Sequence, residues 1–100
     1  MRGAAVLNIM IAEAFGHRVT LHLRDRDIDT KTPLAKIVED GDRSFLRCHR
    51  SYVVNMDHIR YVQDKSFKMA NGVEVPIRTN GMTQVIADYH AYLFKSTREL

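Results

Sequence analysis

Arg18 to Leu23 (RVTLHL) alternates strictly between apolar and polar residues. Val19, Leu21 and Leu23 face one way and Arg18, Thr20 and His22 the other, the period of two of a half-buried β-strand. The segments around it read the same way. Val6 to Ala14 (VLNIMIAEA) is apolar, rich in β-branched residues and too short for a stable lone helix, so it is expected as a buried strand, with helix as the alternative. Arg24 to Asp27 is a charged turn from which Ile28 to Lys31 returns as a short partner.

From Phe45 the strand signals resume, at Phe45 to His49, Tyr52 to Asn55, Ile59 to Gln63, Phe67 to Met69 and Val73 to Ile77. The last two are joined across Asn71-Gly72, a strong hairpin signal. Pro76 has no N–H for a ladder and belongs at an edge or a strand end.

Two helices interrupt this pattern. Thr32-Pro33 opens the first, with Thr as N-cap and Pro at the first helical position. Leu34, Ile37 and Val38 form its apolar face, and Gly41 is expected to end it in a left-handed turn. After Thr79-Asn80-Gly81, the residues Met82, Val85, Ile86, Tyr89 and Leu93 make a stripe expected to face the core.

One hundred residues suffice for a single core but not for two, so residues 1–100 are read as one domain. The formal charge of +3 tilts toward an anionic partner, and ten of the fifteen cations are Arg, whose planar fork suits phosphate and guanine. Cys48 is the sole cysteine, so no intrachain disulfide forms, as expected in a reducing cytoplasm. Arg2 ahead of Ala4 to Ala12, with Ala12-Glu13-Ala14 behind, resembles a cleavable leader. Asn8 breaks that apolar run, and cleavage after Ala14 would remove a strand that the fold needs. No run reaches the roughly 18 apolar residues of a membrane span.

Five histidines and Cys48 invite a metal or thiol-enzyme reading, but the spacings refuse it. No His pair has the spacing of a helical zinc motif, and Cys48 and His49 are neighbours expected on opposite faces of a strand. Gly-rich phosphate loops, nucleophile elbows and close carboxylate pairs in apolar settings are also missing. The sequence therefore predicts no catalytic residues, no metal, no cofactor and no small-molecule substrate.

The most informative segment is FLRCHRSYVVN, Phe45 to Asn55, in which an apolar strand stops at the polar knot His49-Arg50-Ser51 and a second apolar strand restarts at once. Such knots on rigid sheets are where function sits. The residues alone equally allow an ordinary β-corner, with His49 and Asn55 satisfying backbone groups and Arg50 solvated.

The longer run FLRCHRSYVVNMDHI resembles the central signature of the LytTR domain, in which an aromatic strand, a His-Arg-Ser or His-Asn-Ser knot and a Val-Asn ending recur in that order. NIMIAEAFGH (Asn8 to His17) is similar to the family's early strand and the loop after it, Leu34 to Glu39 to its short helix, and Asn71 to Arg78 to its late hairpin. The resemblance covers about residues 8–94. It implies a mostly β fold of elongated antiparallel sheets with a short helix and a C-terminal helix. It also implies transcriptional regulation in the cytoplasm by binding duplex DNA through loops, at paired half-sites that allow a homodimer on DNA. Carried over by position, His17, Arg50 and Arg78 would contact bases, while Arg18, Ser51 and Asn80 beside them would hold phosphates. His49 and Asn55 would be structural. The family usually begins with one further strand, for which only Met1 to Val6 remain here, and often carries a receiver or membrane domain ahead of this one. A protein-interaction or dimerisation module of the same fold is the competing expectation.

Overall fold

The computed structural model describes residues 8–98. Two antiparallel sheets and two helices make up the fold. The larger sheet has the order β3-β2-β1-β5-β4, and the smaller has the order β6-β7-β8. The strands are β1 (Ile9–Phe15), β2 (Arg18–Leu23), β3 (Asp27–Thr30), β4 (Phe45–His49), β5 (Tyr52–Asn55), β6 (Ile59–Gln63), β7 (Ser66–Met69) and β8 (Glu74–Pro76). Helix α1 (Leu34–Asp40) lies between β3 and β4, a 3-10 turn (Met56–His58) follows β5, and α2 (Met82–Arg98) closes the chain. Val6 and Leu7 of the first expected strand, and the place of any strand ahead of it, lie outside the described residues.

The five-stranded sheet is covered on both faces, which accounts for the unbroken apolar runs in β1 and β5. On one face, α1 presses Leu34 and Ile37 onto Ile9, Ala12, Val19, Leu21, Phe45 and Val53. On the other, the three-stranded sheet and α2 bring Phe67, Met69, Val75, Val85 and Tyr89 against Met10, Ile11, Cys48 and Val54. The alternation in Arg18 to Leu23 reports the face of β2 under α1. Phe67 and Tyr89 meet edge to face at 5.4 Å, a favoured geometry for aromatic pairs.

Two bulges re-aim side chains within this sandwich. In β1 the pairing with β2 slips between Ile9 and Ile11, and Met10 joins Ile11 in the core under α2. In β4 the pairing with β5 slips between Arg47 and His49. Simple alternation would put Cys48 and His49 on opposite faces. The bulge instead sets His49 across from Tyr52, with the two rings edge to face at 5.7 Å, on the side where Cys48 is buried.

Three further expectations are corrected. Thr32 does not cap α1: Pro33 holds the cap position without a side-chain cap bond, its carbonyl accepts from Lys36 and Ile37, and the Thr32 hydroxyl accepts from Thr30 instead. Gly41 is extended (φ −79°, ψ 178°) rather than left-handed. What demands glycine there is space, because a Cβ would run into the Phe45 ring. On α2, Val85 and Tyr89 are buried and Met82 and Ile86 pack against the same core, but Leu93 is exposed and its neighbour Tyr92 packs against the core on that turn instead. The hairpin across Asn71-Gly72 forms as expected, with Phe67 opposite Val75 and Pro76 on the edge strand β8.

Candidate nucleic-acid interface

Strand pairing gathers the basic loops at one end of the five-stranded sheet. β1 and β2 are joined by a two-residue turn, Gly16-His17, with Phe15 opposite Arg18. β1 runs antiparallel to β5 with Glu13 opposite Tyr52, and the Ala14 N–H donates to the Ser51 carbonyl at 2.8 Å. The β1–β2 turn therefore lies beside the Arg50-Ser51 turn that joins β4 to β5. Val19 pairs with Thr30, which brings Lys31 to the same end. Past β8, the Arg78 N–H donates to the Cys48 carbonyl at 2.8 Å, so Arg78 and then Asn80 also arrive there.

His17, Arg18 and Arg50 are exposed, and their side chains make no hydrogen bond or ion pair among the described residues. Asn80 is exposed and Ser51 half-buried. At the tip of β1, Phe15 is 84% exposed. An apolar ring in water beside three unpaired basic side chains is poorly explained by folding alone.

Two arginines build this end from within. Arg47 donates from Nε to the His49 carbonyl at 3.1 Å and from Nη2 to the Arg50 carbonyl at 2.6 Å, clamping the turn that carries Arg50. Half-buried Arg78 donates from Nη1 to the Arg47 carbonyl at 3.0 Å. Gly81, at φ +92°, leaves room for that guanidinium, since a Cβ would sit 2.9 Å from Nε. Arg78 thus has a bracing contact that sequence reasoning did not foresee. Arg47 was missed as well, although a signal existed: two residues after the buried Phe45, it falls on a face where simple alternation asks for an apolar residue.

His49 and Asn55 hold backbone. The His49 Nδ1 accepts from the Ser51 N–H at 3.1 Å, shaping the turn. Buried Asn55 donates from Nδ2 to the Ile9 carbonyl at 3.0 Å and accepts from the Asp57 N–H at 3.0 Å, joining β5, β1 and the 3-10 turn. Cys48 is fully buried, and burial pushes its thiol up to about 12. Among the described residues no group of three or more His, Cys, Asp or Glu side chains is placed to hold a metal, and no helix is long and apolar enough to cross a membrane.

Residues 4–89 match the sequence model of the LytTr DNA-binding domain. The chain belongs to the LytTR DNA-binding domain family. Among solved structures it is similar to the LytTr DNA-binding domain of a methyl-accepting/DNA response regulator from Bacillus cereus, at 26% identity and a TM-score of 0.66, over 90% of this chain and 81% of that one. No curated protein matches it. The mostly antiparallel β fold with two helices is thus the LytTR fold, a DNA-binding rather than an enzymatic family. In this LytTR domain the residues expected at DNA stand toward one end of the larger sheet, where Lys31, Arg47 and Phe15 stand as well.

Proposed function

We propose that this LytTR domain binds duplex DNA sequence-specifically and acts in transcriptional regulation from the cytoplasm, as a single module over residues 1–100. The observation that carries the reading is the convergence of His17, Arg18, Arg50 and Arg78 from separate loops onto one sheet end, with three of the four unpaired. His17 and Arg50 contact base edges in the major groove, where an Arg fork fits the O6 and N7 of guanine. Arg78 reaches a base with the donors that its brace to Arg47 leaves over. Arg18, Ser51 and Asn80 hold phosphates and set the register without reading sequence. Paired half-sites, occupied by two copies, extend the contact along the duplex.

The test is a titration of preferred and scrambled duplexes over a range of salt. Binding should favour one sequence and weaken with salt at about 0.9 logarithmic units per phosphate contact. Arg50→Ala should lose about 1 to 3 kcal/mol at the preferred site and relax discrimination at one base position, with nonspecific binding changed much less. Because Arg78 also braces β4, Arg78→Ala is compared only after its melting temperature is matched to the parent's. Absence of duplex binding at low salt, or equal affinity for every sequence, would favour a protein-interaction module of the same fold.

A further inference from the structure

Beside the loops, on the α1 face of the larger sheet, lies an open depression of about 360 Å³. Its lining includes His17, Arg18, Lys31 and Arg47, over a floor that includes Ala14, Val19 and Leu34. The basic residues come from the β1–β2 turn, the start of β2, the segment after β3, and β4, and no acidic side chain lines the depression.

Two of the other lysines are paired. Lys36 meets Asp40 at 3.2 Å and Lys68 meets Glu74 at 3.4 Å. Lys31 and Arg18 meet no carboxylate among the described residues. Like charges drawn together over an apolar floor repel one another, and the low-dielectric floor strengthens both that repulsion and the attraction for an anion. Arg47 is already held by the His49 and Arg50 carbonyls, so it meets an anion without first being ordered.

Resting on the DNA-binding reading above, we propose that this depression seats the phosphodiester backbone of one DNA strand. Lys31 and Arg47 join Arg18 as phosphate contacts, and the strand crosses the α1 face rather than the face under α2. Arg47 links the seat to base reading, since the side chain that receives the phosphate also clamps the turn bearing Arg50.

Lys31→Gln and Lys31→Glu are titrated with the preferred and a scrambled duplex from low to high salt, beside Arg47→Lys and the control Lys36→Gln. Lys31→Gln should weaken both duplexes equally, by roughly 3- to 10-fold at 0.1 M salt, and lower the salt slope by about 0.9. Lys31→Glu should weaken them further. Arg47→Lys keeps the charge but cannot reach both carbonyls, so it should also blur the base preference. Lys36→Gln should match the parent. A parent that binds, with Lys31→Gln and Lys31→Glu retaining its affinity and slope, would overturn the seat and leave the DNA-binding reading standing. A parent that binds no duplex would overturn both. A third arm titrates inorganic phosphate at constant ionic strength and follows the amide resonances around Arg18 and Lys31. If those shift with phosphate while the Lys31 variants bind DNA like the parent, the depression takes a free anion and the duplex assignment is wrong.

Discussion

The two faces of the five-stranded sheet carry depressions of opposite character. On the α1 face the lining holds His17, Arg18, Lys31 and Arg47 with no acid. On the other face, between the sheet and the β7–β8 hairpin, a smaller hollow of about 140 Å³ is lined by Glu13, His22, Tyr52 and Glu74 with no Lys or Arg. There the acids are used internally. The Tyr52 hydroxyl donates to Glu13 at 3.0 Å, His22 bridges Glu13 at 3.1 Å and Asp27 at 3.0 Å through its two ring nitrogens, and Lys68 pairs with Glu74. Burial, then the bond to Glu13, raises the Tyr52 hydroxyl above its ordinary range. Charges satisfied within the fold stabilise it, whereas like charges left together await a partner. The two faces should therefore answer to different variables, one through stability and the other through binding and salt.

The largest effect belongs to the residue that both faces depend on. Asn55→Ala leaves the buried Ile9 carbonyl and the half-buried Asp57 N–H without their partner. The expected loss is about 2 to 4 kcal/mol, read by urea unfolding. Fluorescence and circular dichroism should report one shared transition, and separate transitions would mean that the faces are not one cooperative unit.

Alkali should strike the buried side next. The unfolded Cys48 thiol ionises near its ordinary value of 9.0 while the folded one holds its proton to about 12. Above pH 9 the unfolded state therefore releases a proton that the native state keeps, and stability falls as pH rises through this window, on the order of 1 kcal/mol per pH unit. Below pH 9 this contribution is constant. Tyr52, Tyr89 and Tyr92 are also raised and add in the same direction, so the difference between parent and Cys48→Ala isolates the thiol. Fast labelling of Cys48 by a thiol reagent in the native state near neutral pH would contradict the burial on which this rests.

Glu13→Ala removes an acceptor from Tyr52 and from His22 at a half-exposed place, and should cost about 1 kcal/mol of stability. It should not weaken duplex binding. Loss of affinity comparable to that of Lys31→Gln would erase the distinction between the faces.

The smallest effect falls on the exposed end. Lys31→Gln and Phe15→Ala should each leave stability within about 0.5 kcal/mol of the parent, since neither side chain is buried in the fold. A larger change in the melting curve of either would show that the residue serves the fold after all.

The strands, the Asn71-Gly72 hairpin and the inner stripe of α2 were legible because each rests on residues within a few positions of one another. Alternation, turn residues and helical spacing are local. Arg50 could be singled out within the compact signature, and His17 and Arg78 within the flanking segments that share the resemblance, although the bracing contact of Arg78 to the Arg47 carbonyl, 31 positions away, could not. The Thr32 cap and the left-handed Gly41 were reasonable local readings that tertiary contacts overrode, through the Thr30 hydroxyl in one case and the Phe45 ring in the other. Leu93 kept the helical spacing, but Tyr92 took the core-facing place on that turn.

The sequence by itself determined the β character, the helical spans and the chemistry available to an anionic partner, because backbone period, turn preference and side-chain charge are properties of neighbours along the chain. Only the tertiary structure decided which cations stand together and which face they share. Two bulges, the β1–β5 pairing and the guanidinium braces made that choice, and each joins residues whose proximity no local pattern encodes.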